Sequence, residues 1–266
     1  MQFPMVEIAG LNVAKVNEAI LVDHVASSLE SGHGGWLVTA NADIARLCNQ
    51  NSDLHRFVGG ADVIVADGMP LIWASRLQGT PLLARVCGSD LVWSIAERAA
   101  EEGRSLFLLG GGQPDTAKRA AAVLQQRYPR LNIAGTHYPP FGFETDGMQM
   151  DAIRHQLETT RPDIIYVALG FPKAERLIEQ LRARHPKTWW IGVGISLSFI
   201  AGDVTRAPRW MQAIGMEWMH RLVQEPGRLT KRYLWHDIPY VATLLLSSAI
   251  KRMRYGAVDR QGNSSR

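Results

Sequence analysis

The sequence predicts an α/β protein, a Rossmann-like and mainly parallel sheet with helices on both faces, extended by a C-terminal helical appendage. Three observations predict it. Short apolar runs rich in β-branched and aromatic residues alternate with helical patterns. That alternation stops near Gly202–Pro208. The balance of charge changes sign at the same place.

The strands come first. WLVTA (36–40), DVIVAD (62–67), SLFLLGG (105–111), DIIYVALG (163–170) and TWWIGVG (188–194) are continuous apolar runs, as expected of parallel strands buried on both faces. Between them, residues 89–102, 113–128 and 173–184 carry apolar positions at helical spacing. In 113–128 these are Ala117, Ala120, Ala121, Leu124 and Tyr128, with Pro114 near the helix start. In such sheets ligands bind beyond the carboxyl ends of the strands. The residues to search for chemistry are therefore Thr39 to Asn41, Asp67-Gly68, Gly110 to Gly112, Gly170 to Lys173 and Gly194 to Ser196.

The composition excludes several classes. With 266 residues, 46% hydrophobic, 20% charged and only two Cys, the chain is neither disordered nor a disulfide-stapled miniprotein. Cys48 and Cys87 lack metal-ligand spacing and read as reduced thiols of a cytoplasmic protein. The opening residues, MQFPMVEIAG, have no basic stretch followed by an apolar one, so no secretory signal is expected.

Charge divides the chain. Residues 1–203 hold 18 Lys and Arg against 21 Asp and Glu, whereas 204–254 hold nine bases against three acids. The first segment reads as the catalytic domain and the second as a basic, Trp-rich appendage; 255–266 read as a disordered tail. Trp210, Trp218, Tyr233, Trp235 and Tyr240 are interleaved with the appendage's Arg residues. Arg suits phosphates and Trp and Tyr suit a water–hydrocarbon boundary, so a membrane surface is the expected partner and nucleic acid is not. The uncharged run Ile238 to Ile250 has 13 residues, short of the roughly 20 that span a bilayer, so the appendage would lie on the membrane. The alternative is a solvated helical face whose Trp residues pack on the body.

Three constellations carry candidate chemistry. Asp67 ends a wholly apolar strand before Gly68, which suits a general base with a raised pKa and equally suits an Asp-Gly turn. Thr39 and Asn41 close the neighbouring run, where they would orient a substrate, or Asn41 would cap the helix ADIARLCNQ. Gly110-Gly111-Gly112 joins a strand to a helix and would present backbone N–H groups to a diphosphate, or form a tight turn with no ligand. Lys173, at another strand end, would add positive charge to the same diphosphate. Neither the eight His nor Asp146 and Asp151 have ligand spacing, so no metal and no cofactor is expected.

Taken together, TANADIARL, ADVIVADGMPLIWASRLQGTPLLARVCGSDL, LFLLGGG, YPPFGF, VALGFPKAE and GVGISLSFIAGDVTRAPRWMQAIGMEWMHRLVQEPGRLTKRY resemble the bacterial WecG/TagA/CpsF glycosyltransferases, family 26. The resemblance covers about residues 5 to 245. It implies inverting, metal-free transfer of a sugar from a UDP-sugar to an undecaprenyl-diphosphate-linked monosaccharide, at the inner face of the cytoplasmic membrane. Asp67 matches the family's catalytic base, Thr39 and Asn41 match positions beside it, and Arg85 matches an Arg that stabilises the leaving diphosphate. Gly110, Gly111, Gly112, Tyr138, Gly170, Lys173 and Glu175 would contact the donor. Arg221 and Arg228 match appendage positions that meet the lipid-linked acceptor and membrane, with Arg232 close by. Relatives of this kind self-associate, so a homo-oligomer is a further expected partner.

Two departures stand in the donor half. The family commonly has Lys-Gln-Glu where this chain has Lys173-Ala174-Glu175, and an Asp where it has Ser198. Losing an amide and a carboxylate changes the polar contacts on which donor choice rests. UDP-glucose, used by relatives of the xanthan-type exopolysaccharide branch, is then as natural a donor as UDP-N-acetylmannosamine. The rival reading is a catalytically inactive scaffold that binds UDP-sugar or lipid within a polysaccharide assembly complex.

Overall fold

The computed structural model describes residues 3–262, leaving aside the side chains of residues 228 and 254–262. Eight strands form. They are β1 (Met5–Ile8), β2 (Leu11–Ala14), β3 (Gly35–Ala40), β4 (Val63–Ala66), β5 (Ser105–Gly110), β6 (Asn132–His137), β7 (Ile164–Ala168) and β8 (Trp189–Gly192). β1 and β2 make an antiparallel hairpin, and the other six form one sheet in the order β4-β3-β8-β7-β5-β6. Every neighbouring pair in that sheet is parallel.

All five expected strands are present, and β7 and β8 are buried along their whole length because helices cover both faces. Trp36, Val38, Ile64, Phe107, Val167 and Trp190 point to one face. Leu37, Val65, Leu108, Tyr166, Trp189 and Ile191 point to the other. The sequence reading missed β6, an edge strand whose side chains are half-exposed and whose NIAGTH has no apolar run. It also missed the β1–β2 hairpin, whose two strands are too short and too mixed to stand out. The turn at Ala9-Gly10 has positive φ at both residues, the geometry a two-residue hairpin favours.

The direction in which the chain leaves each strand positions the crevice. After β3, β4 and β7 it enters helices Ala42–Gln50, Met69–Leu77 and Lys173–Arg182, whose Ile44, Leu71 and Leu177 join the first face's core. After β5 and β8 it enters helices Thr116–Arg127 and Ser196–Ala201, whose Ala120 and Leu197 join the second. Thus β3 and β8, and again β7 and β5, send their chains to opposite faces. Neighbouring carboxyl ends that part in this way leave a crevice between them.

The basic C-terminal segment folds back on the body through helices Arg209–Ala213, Glu217–Gln224 and Pro226–Thr230, a π-helical turn Lys231–Asp237 and a long helix Ile238–Gly262. Leu229, Tyr233 and Leu244 are buried, and Tyr240 and Leu245 pack on the first core. Lys251 reaches Glu7 of β1 at 3.0 Å. The tail expected over 255–266 falls on residues whose side chains, or whole placement, lie outside the described residues. No helix among the described residues is long and apolar enough to cross a membrane.

Candidate active site

The carboxyl ends of β3 and β4 lie side by side, with Thr39 paired to Val65 and Ala40 to Ala66. Asp67 extends that pairing: its N–H donates to the Ala40 carbonyl at 2.7 Å. Gly68 follows at φ +140°, a conformation a side chain would strain, and starts the helix Met69–Leu77. The turn aims the Asp67 carboxylate at the start of the helix Gly88–Glu102, where Gly88 N–H donates to its Oδ2 at 3.2 Å. A helix N-terminus is a favourable seat for a negative charge.

Thr39 and Asn41 meet the same spot. Thr39 Oγ1 donates to the Gly192 carbonyl of β8 at 3.3 Å, and a Cβ on Gly88 would stand 3.3 Å from Thr39 Oγ1 and 3.5 Å from Asp67 Oδ2. Asn41 Oδ1 accepts from Ile44 N–H at 3.1 Å, so its carboxamide oxygen caps the helix Ala42–Gln50. Burial pushes the Asp67 carboxyl above the ordinary carboxylate range, against the Gly88 hydrogen bond, the Arg85 charge and the Cys87 contact, and with the charge of Glu217 adding to the rise.

Around Asp67 the structure assembles a charged cluster that sequence reasoning gathered only in part. Arg85 Nη1 lies 3.5 Å from Glu217 Oε2. Arg206 Nε lies 3.4 Å from the other oxygen of the same carboxylate. Arg206 is itself forked onto Asp90, at 2.5 and 3.0 Å, and donates to Cys87 Sγ at 3.5 Å. Burial opposes the charge on Asp90, but the hydrogen bonds and charge of Arg206 hold its carboxyl below the ordinary range. Burial raises the Cys87 thiol, and the neighbouring charges of Asp67 and Glu217 raise it further. Arg206 and Glu217 stand in the RAP and GMEW stretches of the sequence, but nothing local in either stretch says that Glu217 meets Arg85, 132 residues away, as well as Arg206, 11 residues away.

The expected donor residues line the other part of the crevice rim. Gly110 and Gly111 close β5 at φ +95° and +125°, and a Cβ on either would stand 2.6 Å from Ala168 O or Thr116 Cβ. Close packing therefore requires glycine here before any ligand does. Gln113 N–H already donates to Thr116 Oγ1 at 2.9 Å, and Thr116 donates to Asp203. Ser198 is buried beneath Gly112, where an added Cβ would stand 2.9 Å from its Oγ. Tyr138 follows the end of β6, and Gly170 follows β7 in a left-handed conformation. Lys173 Nζ pairs with Glu144 at 2.5 Å and stands over the exposed ring of Phe141 at 4.7 Å.

Glu175 is buried beside Gly192, the last residue of β8. It is 5% exposed, its Oε2 has no hydrogen-bond partner among the described residues, and a Cβ on Gly192 would meet its Oε1 at 3.1 Å. Burial pushes its carboxyl up to about 7. Ala174, one of the two departures, is also buried.

Of the appendage arginines, Arg221 is half-buried on the helix Glu217–Gln224, and the side chain of Arg228 lies outside the described residues. Arg232 turns inward: it pairs with Asp43 at 2.9 Å and with Asp237 at 3.4 Å. Exposed apolar side chains surround this segment instead, among them Trp210, Trp235, Leu246 and Met253. Among the described residues, no three His, Cys, Asp or Glu side chains gather in a way that would hold a metal ion. Cys48 and Cys87 are buried free thiols.

The comparisons agree with the geometry. The glycosyl transferase WecG/TagA/CpsF family profile matches residues 6–255. An N-acetylglucosaminyldiphosphoundecaprenol N-acetyl-beta-D-mannosaminyltransferase of Bacillus spizizenii is 31% identical over 228 residues, covering 85% of this chain and 84% of the relative. A Bacillus subtilis strain 168 protein of the same description is 31% identical over 225 residues, covering 84% and 83%. A parallel α/β sheet with a carboxylate and an arginine at its carboxyl edge, matched along nearly its whole length, belongs to a transferase: the chain is a member of the WecG/TagA/CpsF family of glycosyl transferases.

Proposed function

We propose that this protein is an inverting, metal-independent glycosyltransferase that moves a hexosyl group from a UDP-sugar to a sugar carried on undecaprenyl diphosphate. The observation that supports it is the pairing of functions at one strand edge, a half-buried carboxylate at Asp67 beside the guanidinium of Arg85. The acceptor hydroxyl would give its proton to Asp67 as its oxygen attacks the anomeric carbon from the face opposite the donor diphosphate. One bond forms and the bond to UDP breaks, so the configuration inverts. A carboxylate whose affinity for a proton is raised by burial is the stronger base for that step. Arg85 would neutralise the diphosphate as charge develops on it, which is the task a metal ion performs elsewhere.

The lipid-linked acceptor follows from the relatives, whose descriptions specify N-acetylglucosaminyldiphosphoundecaprenol. An exposed apolar stripe suits work at that lipid's interface. Ile238, Leu246, Ile250 and Met253 recur at helical spacing on the last helix, next to Leu234 and Trp235 and with Lys231 and Lys251 at the margins. Peripheral attachment at the inner face of the cytoplasmic membrane is the location proposed.

The test is transfer from radiolabelled UDP-glucose, UDP-galactose, UDP-N-acetylmannosamine and its uronic acid to polyprenyl-diphosphate-linked glucose and N-acetylglucosamine, with EDTA present. Transfer from UDP-glucose to the glucosyl lipid places the protein in exopolysaccharide synthesis. Transfer from the N-acetylated donor makes Ala174 and Ser198 neutral changes. In either case Asp67→Asn lowers transfer roughly 10²-fold or more while UDP still binds. UDP binding with no transfer to any acceptor would overturn the enzyme reading.

A further inference from the structure

Resting on the reading of Asp67 as the base, we propose that Glu217, carried in by the C-terminal segment, is a positioning residue that holds Arg85 away from Asp67 until the donor diphosphate takes its place. The geometry of the bridge is the basis. Glu217 presents one oxygen to Arg85 at 3.5 Å and the other to Arg206 at 3.4 Å. Arg206 is fixed by its fork onto Asp90, so the carboxylate spans one held guanidinium and Arg85 through two similarly long contacts. Among the described residues Arg85 makes its ion pair with Glu217 and none with Asp67, although its charge is felt there.

The consequence follows from what an unengaged guanidinium does. Arg85 and Glu217 are both mostly buried, with side chains 18% and 17% exposed. Without Glu217, the Arg85 charge still reaches Asp67 and Asp90, and Asp90 is already taken by the Arg206 fork, which leaves the base as the carboxylate open to it. A direct pair would hold Asp67 ionised and occupy the lone pairs that must take the acceptor's proton. Glu217 prevents that while leaving Arg85 loosely held, so a diphosphate with more charge and more oxygens can displace it. The groups facing Asp67 and Glu217 are Arg85, Cys87 and Gly88 N–H from the segment before and at the start of helix Gly88–Glu102, and Asp90 within it; Arg206 comes from the C-terminal segment.

The residue is a link between two parts of the chain. Glu217 is the first residue of the helix Glu217–Gln224, in the same segment that carries the exposed apolar stripe. Seating that segment on the body is therefore what frees Asp67 for the reaction.

The experiment is the pH dependence of kcat/KM, with UDP affinity measured in parallel, for the full chain and its Glu217→Gln, Glu217→Ala and Glu217→Asp variants. Glu217→Gln keeps the shape and its melting temperature reports the fold. The expected result is an acid limb displaced to lower pH in the Gln and Ala variants, kcat reduced about 10-fold or more, and UDP bound at least as tightly. Glu217→Asp keeps the charge and holds the limb near its original position. An acid limb that stays in place in both the Gln and Ala variants overturns the proposal, whatever the rate, because a merely structural loss does not move it. Asp67→Asn separates the two readings: full transfer in that variant removes the base itself, independently of any result at Glu217.

Discussion

Arg46 and Asp237, 191 residues apart in sequence, share a buried ion pair at 3.0 Å that fastens the C-terminal segment to the helix capped by Asn41. Asp43 and Arg232 complete the cluster, with Arg46 to Asp43 at 2.5 Å. The same helix thus carries a candidate site residue at its cap and the grip on the appendage one turn later. Arg46→Ala leaves two largely buried carboxylates facing Arg232 alone, and is expected to cost about 3 kcal/mol in urea unfolding. Trypsin should then cut the C-terminal segment faster than it cuts the wild-type protein. Replacing Arg46 by Met and Asp237 by Asn together should recover much of the loss, since a buried pair removed whole costs less than one broken. Unchanged stability in Arg46→Ala would show that the cluster does not hold the segment.

Glu175 predicts a pH dependence of stability. Burial raises its folded-state value from the ordinary 4.5 to about 7, so the folded protein keeps this proton after the unfolded chain has lost it. The sign is then fixed: Glu175 costs nothing below pH 4.5, its penalty grows as pH rises from there to 7, and above 7 it is complete. The full penalty is on the order of 3 kcal/mol. Glu175→Gln should therefore gain stability relative to wild type between pH 5 and pH 8. Comparing the two pH values cancels whatever the amide itself costs. An identical stability difference at both would mean that Glu175 is not titrating in this range.

The fold was readable because burial on two faces writes continuous apolar runs into parallel strands, as in IIYVA of β7 and WWIG of β8. β6 escaped because an edge strand, paired on one side and half-exposed, needs no such run. The site divides in the same way. Asp67, Thr39 and Asn41 were legible as candidates because each lies at or just past the carboxyl end of a strand, and strand ends converge by topology. Arg206 and Glu217 were not, because their place beside Arg85 depends on how the C-terminal segment folds back, which no local pattern encodes. Arg232 shows what a stretch's composition leaves out. Its place in a basic, aromatic-rich stretch suggests a membrane or acceptor contact, yet buried Asp43 and Asp237 draw it inward. Glu175 lies in a motif that reads as a donor contact; the structure buries it in the first turn of helix Lys173–Arg182, which no local pattern announces.

Arg85 separates charge from geometry. A leaving diphosphate gains charge in the transition state beyond what the bound donor carries, so losing its stabilising group should lower kcat, and lower kcat/KM at least as much because Arg85 also meets the bound donor. Arg85→Gln is expected to reduce kcat roughly 10² to 10³-fold. Arg85→Lys keeps the charge but loses the two-pronged donor geometry, and should fall between that variant and wild type. Steady-state kinetics with varied UDP-sugar decide it. A rise in KM with kcat intact would place Arg85 in ground-state binding and leave the leaving group without this partner.

The exposed stripe gives a membrane prediction that does not depend on catalysis. Trp235 is 75% exposed, Leu246 64% and Met253 66%, so none contributes much to the folded core. Truncating the segment is the wrong experiment, because Leu229, Tyr233 and Leu244 are buried and their loss would open the body. Trp235→Ala combined with Leu246→Ser leaves the core and the ion-pair cluster untouched. Removing these two apolar anchors should weaken partitioning onto anionic liposomes about 10-fold or more, with the melting temperature unchanged. Residual binding should fall further with added salt, since the exposed Lys231 supplies an electrostatic part on the order of 1 kcal/mol, Lys251 being paired with Glu7. Sedimentation with vesicles measures both effects. Equal binding by the double variant and wild type would exclude this stripe as the membrane contact, and would direct attention to a second protein surface as what covers it.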